Sequence, residues 1–371
     1  MTHSACVEKK ICWVSVVGHD PSVGGGVATA VQTLKESDIF TGIADYYSLS
    51  GLSVFKQILL FLRLVYICRY RYFVVHSFFS PFSLMLLLIP FKARVVIFPH
   101  GELKKEALEI SRKKKVFAYS TVRVLSFLIK LTKKVSVISS GKEENNFLSD
   151  IVSINLTAVL PDLVSNKTLF TFPRAISSNE KINLIFIARM VPNKGISFFL
   201  KLFLEDILNE KPSSFSEKIN SINIYYFRED EAEYQMVLDG KEKIENKAGI
   251  RVNLYENLSR DNIKSRLQQI ENKMAFLSSQ FESFSYALLE SLGFEYCPYV
   301  WFENELVQEL ELEGLCIKGS YGVLPDSENL DGWLMPTDFN QVKAFLLRKN
   351  LSTTILYKSE LRKMLGDVFF N

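Results

Sequence analysis

The chain has 371 residues, 48% hydrophobic and 23% charged, which excludes a disordered or fibrous protein and, at roughly 100–200 residues per domain, calls for two domains. Its net charge of +3 hides an asymmetry: residues 1–175 carry 22 Lys/Arg against 12 Asp/Glu, whereas residues 176–371 carry 22 against 29. Five scattered cysteines, Cys6, Cys12, Cys68, Cys297 and Cys316, with no C-x-x-C pair and no histidine at ligand spacing, exclude a disulfide framework and a structural zinc site.

Met1–Lys10 is polar and lacks a charged start followed by an apolar run, so a cytoplasmic protein is expected. Short apolar runs then alternate with helical patterns, as in parallel sheets covered by helices. In the first half, strands are predicted over 11–18, 72–79, 94–99, 135–139 and 154–160, with helices over 26–36, 54–70, 104–131 and 142–148. The 20 residues from Tyr72 to Phe91 hold no Asp, Glu, Lys or Arg and match the length of a bilayer span. Pro81 suits a helix start, however, so a buried strand followed by a short apolar helix over 82–89 is expected there. The stretch 161–180, with two prolines and no sustained period, reads as a linker. After it, strands are predicted over 182–187, 222–227, 250–255, 274–277 and 299–302, and helices over 196–208, 260–270 and 284–294. The expected organisation is one α/β domain over 1–165, a linker over 166–180, a second α/β domain over 181–350 and a C-terminal helix over 351–371 packing back on the first. Two open parallel sheets would face each other across a cleft, with ligands outside the carboxyl ends of their strands.

Four segments fall at such strand ends. Gly18 to Val31 includes Gly24, Gly25 and Gly26 between the first strand and first helix, where backbone N–H groups could meet a diphosphate; a tight packing turn explains the glycines equally well. His100, in Phe98-Pro99-His100-Gly101-Glu102, ends an apolar strand and is otherwise an ordinary packed histidine. Arg189 and Lys194 flank a strand-to-helix turn and could compensate charge on a departing diphosphate, or be plain surface cations. Glu282 follows a strand and Glu290 lies on the order of 9–12 Å farther on at helical rise, so one could hold a sugar and the other a ribose diol, or both could be surface glutamates.

In this order the motifs resemble the retaining nucleotide-sugar glycosyltransferases of family 4, whose GT-B fold is two Rossmann-like α/β domains with parallel sheets facing across a central cleft. Gly25-Gly26-Val27 is similar to the family's glycine loop, His100 to a histidine near the transferred sugar, Arg189 and Lys194 to its diphosphate-binding pair, and Glu282 and Glu290 to its E-x7-E motif. Asp331 to Pro336 resembles the segment before the family's last helices. The resemblance implies an acceptor-binding first domain, a nucleotide-sugar-binding second domain, and catalytic His100, Arg189, Lys194 and Glu282. It also implies donor contacts at Gly25, Gly26, Arg189, Lys194, Glu282, Phe284, Ser285, Tyr286 and Glu290. Transfer would retain anomeric configuration by a front-face route in which the leaving diphosphate takes the acceptor's proton. No cofactor is expected, and no Asp-x-Asp sequence is present, so no catalytic metal is expected either. Ala188, Ser285 and Glu295 depart from the family pattern, and leave open a non-catalytic GT-B scaffold binding a nucleotide sugar or partner enzyme, or an epimerase or hydrolase on the same fold.

Residues 104–134 hold ten Lys/Arg, including Lys104, Lys105, Arg112, Lys113, Lys114 and Lys115, against Glu106 and Glu109, interleaved with apolar residues. Such a segment suits an anionic inner-membrane surface, or else forms a core helix with a solvated basic face. With the resemblance, the membrane reading implies a lipid-linked glycan acceptor in bacterial surface polysaccharide (O-antigen, capsule or exopolysaccharide) synthesis. No nucleic-acid-binding motif accompanies the charge, so nucleic acid is not an expected partner.

Overall fold

The computed structural model describes residues 10–15, 21–78, 80–88, 93–104, 116, 135–142, 144–146, 157–164, 181–282, 284–325 and 335–365. The chain divides into two units, one made of Met1–Val164 with Arg348–Asn371 and the other of Ser165–Leu347.

The first unit is built on six strands, β1 (Ile11–Ser15), β2 (Ala44–Ser48), β3 (Tyr72–His76), β4 (Arg94–Phe98), β5 (Val135–Ser139) and β6 (Thr157–Val159), in the order β2-β1-β3-β4-β5-β6. Every neighbouring pair is parallel. Successive side chains on a strand point to opposite faces, and here both faces are buried. Cys12, Val14, Phe73, Val75, Val95 and Ile97 enter one core cluster. Ile11, Trp13, Val74, Val96 and Phe98 enter the other, which also takes in Tyr357, Leu361 and Leu365 of the C-terminal helix Phe339–Leu365. Double burial is why these strands stand out in sequence as unbroken apolar runs.

The second unit repeats the plan with β7 (Ile182–Met190), β8 (Ile219–Arg228), β9 (Arg251–Glu256), β10 (Lys273–Leu277), β11 (Tyr299–Val300) and β12 (Ile317–Lys318), ordered β12-β11-β10-β7-β8-β9 and parallel throughout. Leu184, Phe186, Ile222, Ile224 and Phe276 fill one face, and Ile185, Tyr225 and Ala275 the other. Counting from β7, this is the doubly wound dinucleotide-fold order, with its topological switch between β7 and β10.

Several expectations are revised. The first helix runs Pro21–Glu36 and contains Gly24, Gly25 and Gly26, which are therefore helical rather than part of a loop; proline's fixed φ starts the helix one turn early. The uncharged stretch after Arg71 is the strand Tyr72–His76 followed by the helix Pro81–Leu88, and among the described residues no helix is long and apolar enough to cross a membrane. The segment over 54–70 is the helix Val54–Leu62 continued by a π-helical turn, Arg63–Ile67. The 18-residue helix Glu231–Ala248 is unanticipated because it buries only a sparse face, Glu233, Val237 and Ile244. Its signals are at its ends: Asp230 accepts the Glu233 N–H at 2.9 Å, and Gly249 ends it at φ +67°. Leu163 and Val164 are buried core residues of the first unit rather than linker. Lys104 is almost wholly buried after β4 and so does not belong to a membrane-facing surface. Lys105, Arg112, Lys113, Lys114 and Lys115, and the segment Asp331 to Leu334, lie outside the described residues.

Candidate functional site

In the second unit the loops following β7 and β10 meet at the switch point. Pro192–Lys194 form a 3-10 turn after β7, and Gly195 follows at φ +65° before the helix Ile196–Ile207. The two loops are tied to each other: the Ser278 hydroxyl donates to the Lys194 carbonyl at 2.7 Å and the Gln280 N–H to the Asn193 carbonyl at 2.9 Å. At Gly195 a Cβ would stand 2.3 Å from the Ser278 carbonyl oxygen, so the approach requires glycine twice over, for space and for backbone conformation.

These ties bring together two residues 88 apart in sequence. The Lys194 ammonium donates to the Glu282 carboxylate, which also accepts from the Ser279 hydroxyl at 2.8 Å. Both side chains are largely buried and line a partly open pocket. Ala188, Ser278 and Ala287 also line it. Arg189, one position along the strand, points to the other face and pairs on the surface with Glu229 at 3.1 Å. The structure thus joins Lys194 with Glu282 and holds Arg189 apart from them, in an exposed pair of little strength.

Glu290 is the fifth residue of the helix Tyr286–Ser291 and pairs with Arg260 at 3.2 Å. Arg260 opens its own helix, Arg260–Leu267, and was not anticipated from sequence. Burial pushes the Glu290 carboxyl up to about 7, against the pull of Arg260. The folded state therefore holds a proton on Glu290 that an unfolded glutamate, titrating at 4.5, has lost. Stability is expected to fall by about 3 kcal/mol as pH rises from about 4.5 to 7 and then to level off. Urea unfolding across that range checks it: Glu290→Gln should remove this component of the slope.

Ser285 sits at φ +67°, in the left-handed region that favours glycine, and it caps the helix by accepting the Leu288 N–H at 3.4 Å. Phe284 and Tyr286 are buried against each other edge to face, centroids 5.1 Å apart, so their rings pack inward. Glu295 is likewise structural. Its carboxylate accepts from the buried Lys273 ammonium at 2.8 Å and from the Lys273 N–H at 3.0 Å, an ion pair that sequence reading missed.

In the first unit, His100 follows β4 at φ +50°. Its Nδ1 lies 3.2 Å from Asp162, and its Nε2 lies 2.7 Å from Nδ1 of His76, the last residue of β3. Burial opposes the charged imidazole, yet Asp162 outweighs it and the His100 pKa is raised, whereas burial and His100 push His76 down. Both ring nitrogens of His100 are thus engaged within the unit. Glu102 and the fully buried Glu144 accept neighbouring N–H groups, from Phe78 and from Leu103 and Ser140 respectively, and so hold these loops together. Among the described residues no cluster of three or more His, Cys, Asp or Glu side chains is disposed to hold a metal ion.

No protein-family model matches the chain, and no curated protein matches it in sequence. Solved structures match it over nearly its whole length. Sucrose-phosphate synthase from Thermosynechococcus elongatus superposes with a TM-score of 0.71 at 13% identity, covering 96% of this chain and 99% of that one. A glycosyltransferase from Rickettsia africae gives 0.62 at 12% identity over 97% and 99%. An α,α-trehalose-phosphate synthase (UDP-forming) from Burkholderia vietnamiensis gives 0.61 at 10% over 96% and 99%. The chain shares with them the GT-B fold of two Rossmann-like α/β domains.

Proposed function

We propose that the chain is a retaining glycosyltransferase that takes a nucleoside-diphosphate sugar as donor, bound in the second unit. The observation that carries this is the Lys194–Glu282 pair, set in a pocket at the switch point of the sheet by loops stitched together at Gly195 and Ser278. The switch point of a doubly wound sheet is where such folds bind nucleotides, and a lysine shielded there stabilises negative charge more strongly than one in water. A protein named a glycosyltransferase and one named a UDP-forming trehalose-phosphate synthase share the fold.

On donor binding, the diphosphate takes the Lys194 ammonium from Glu282, freeing that carboxylate to accept from a sugar hydroxyl. Arg189 enters through the resemblance alone: it lies on the opposite face of β7, and contact with the diphosphate requires it to leave Glu229 and turn toward the pocket. Glu290, once ionised, accepts from the ribose diol, oriented by Arg260. The bond from the anomeric carbon to the diphosphate oxygen breaks, the acceptor oxygen bonds on the same face, and its proton passes to the departing diphosphate. This route assigns no cofactor and no metal. His100 enters through the resemblance alone; contact with a sugar requires its bond to His76 to open. The finer assignment is a lipid-linked glycan acceptor at an anionic inner-membrane surface, in surface polysaccharide synthesis. A sugar phosphate is the competing acceptor, since two of the similar structures are synthases of sugar phosphates.

A thermal-shift series with nucleoside diphosphates and their sugars tests the donor site, because a ligand that binds only the native state raises its melting temperature. One nucleotide class should stabilise the wild type, and Glu290→Ala should abolish that shift together with turnover. Retention of both in the variant overturns the assignment.

A further inference from the structure

From Tyr46 to Gly101 the chain has no Asp or Glu, while Lys56, Arg63, Arg69, Arg71, Lys92 and Arg94 fall within it. Inside this stretch the helix Val54–Leu62 and its π-helical continuation Arg63–Ile67 are apolar on two sides. One side, Gln57, Phe61 and Leu64, is buried against the sheet. The other carries Phe55, Leu59, Leu62 and Tyr66 at helical spacing, with Val54 and Ile67 at its ends, each between 43% and 76% exposed. The arrangement inverts what a water-facing helix needs: its one internal amide, Gln57, points inward and its largest apolar side chains point out. Lys56 and Arg63 are exposed beside the stripe. Arg69 follows its carboxyl end, and Arg71 and Arg94 stand next to one another at the amino ends of β3 and β4, joined by an Arg94 N–H to Arg71 carbonyl bond of 2.8 Å.

We propose that this helix is a membrane-docking element that lies in the interface of an anionic bilayer, with Phe55, Leu59, Leu62 and Tyr66 seated among the acyl chains and Lys56, Arg63 and Arg69 against the headgroups. A helix apolar on its outer face, with Lys56, Arg63 and Arg69 beside it and no acid in its own stretch, fits this surface, since the stripe supplies the apolar burial and these cations the attraction to negative lipid; Asp45, which accepts from Tyr70 beyond the helix's end, is paired with Lys10. The occupant is a lipid surface rather than a second copy of the chain, because two such faces would bring like charges together. The inference deepens the membrane side of the proposed function and rests on it only for the acceptor. It places the contact on Val54–Ile67 instead of on the basic segment 104–134.

The full chain should co-sediment with phosphatidylglycerol-containing vesicles at low salt and not with pure phosphatidylcholine vesicles. Phe55→Ser with Leu59→Ser should weaken vesicle binding at least tenfold, as should Lys56→Glu with Arg63→Glu, each leaving the melting temperature and the nucleotide-induced shift as in the wild type. Lys113→Gln, Lys114→Gln and Lys115→Gln together should leave most of the binding in place. Wild type that ignores anionic vesicles overturns the proposal, as does binding undiminished by the Phe55/Leu59 change, or binding lost only in the triple lysine variant. A wild-type dimer that this change dissolves, without vesicle binding, also overturns it. The nucleotide shift reads the donor site separately, so failure on vesicles leaves the donor assignment standing.

Discussion

Gly195→Ala is expected to destabilise the second unit by roughly 2–4 kcal/mol and to remove nucleotide binding with it. The new methyl group would stand 2.3 Å from the Ser278 carbonyl oxygen, a backbone atom that moves only with its loop, and the residue would also be held at φ +65°. Relief requires the loops after β7 and β10 to part, which breaks the Ser278–Lys194 and Gln280–Asn193 bonds and withdraws Lys194 from Glu282. Urea unfolding measures the first effect and thermal shift with the stabilising nucleotide the second. A variant with wild-type stability and nucleotide response would show that the stitched loops do not build the site.

Lys273→Ala is expected to cost about 3–5 kcal/mol, because it strands the Glu295 carboxylate in the interior without its cation. The ammonium also donates to the Ile270 carbonyl at 2.6 Å, so the loop before β10 loosens as well. Lys273→Met combined with Glu295→Leu should recover most of the loss, since replacing both charges by apolar groups removes the desolvation penalty with the pair. Denaturant midpoints of the two variants decide it: equal losses would mean that the fold depends on the intact ion pair and the hydrogen bonds it makes, not on avoiding a stranded carboxylate.

These two sites differ in how they appear in sequence. The turn carrying Lys194 and Gly195 is conspicuous, since a lysine and a glycine follow a strand and open a helix, and Glu282 stands out likewise after β10. Glu295 looks like a departure from a pattern of small residues, and only its contact with Lys273 gives it a role. His76 reads as part of a buried strand, and nothing local marks it as the partner of His100. Arg260 carries no motif, yet it holds Glu290. Gly25 and Gly26 mislead in the opposite direction, because a glycine run suggests a loop while Pro21 has already begun the helix.

By itself the sequence determined the α/β class, the two-fold repetition of strand and helix, and most of the sheet strands. Strands buried on both faces must be continuous apolar runs, and that requirement is local. Only the tertiary structure decided which loops meet. Lys194 and Glu282 are 88 residues apart, His76 and His100 are 24, and Lys273 and Glu295 are 22. The strand orders β2-β1-β3-β4-β5-β6 and β12-β11-β10-β7-β8-β9 set these encounters. Periodicity along a chain records which face of an element is buried but carries no information about which element lies beside it.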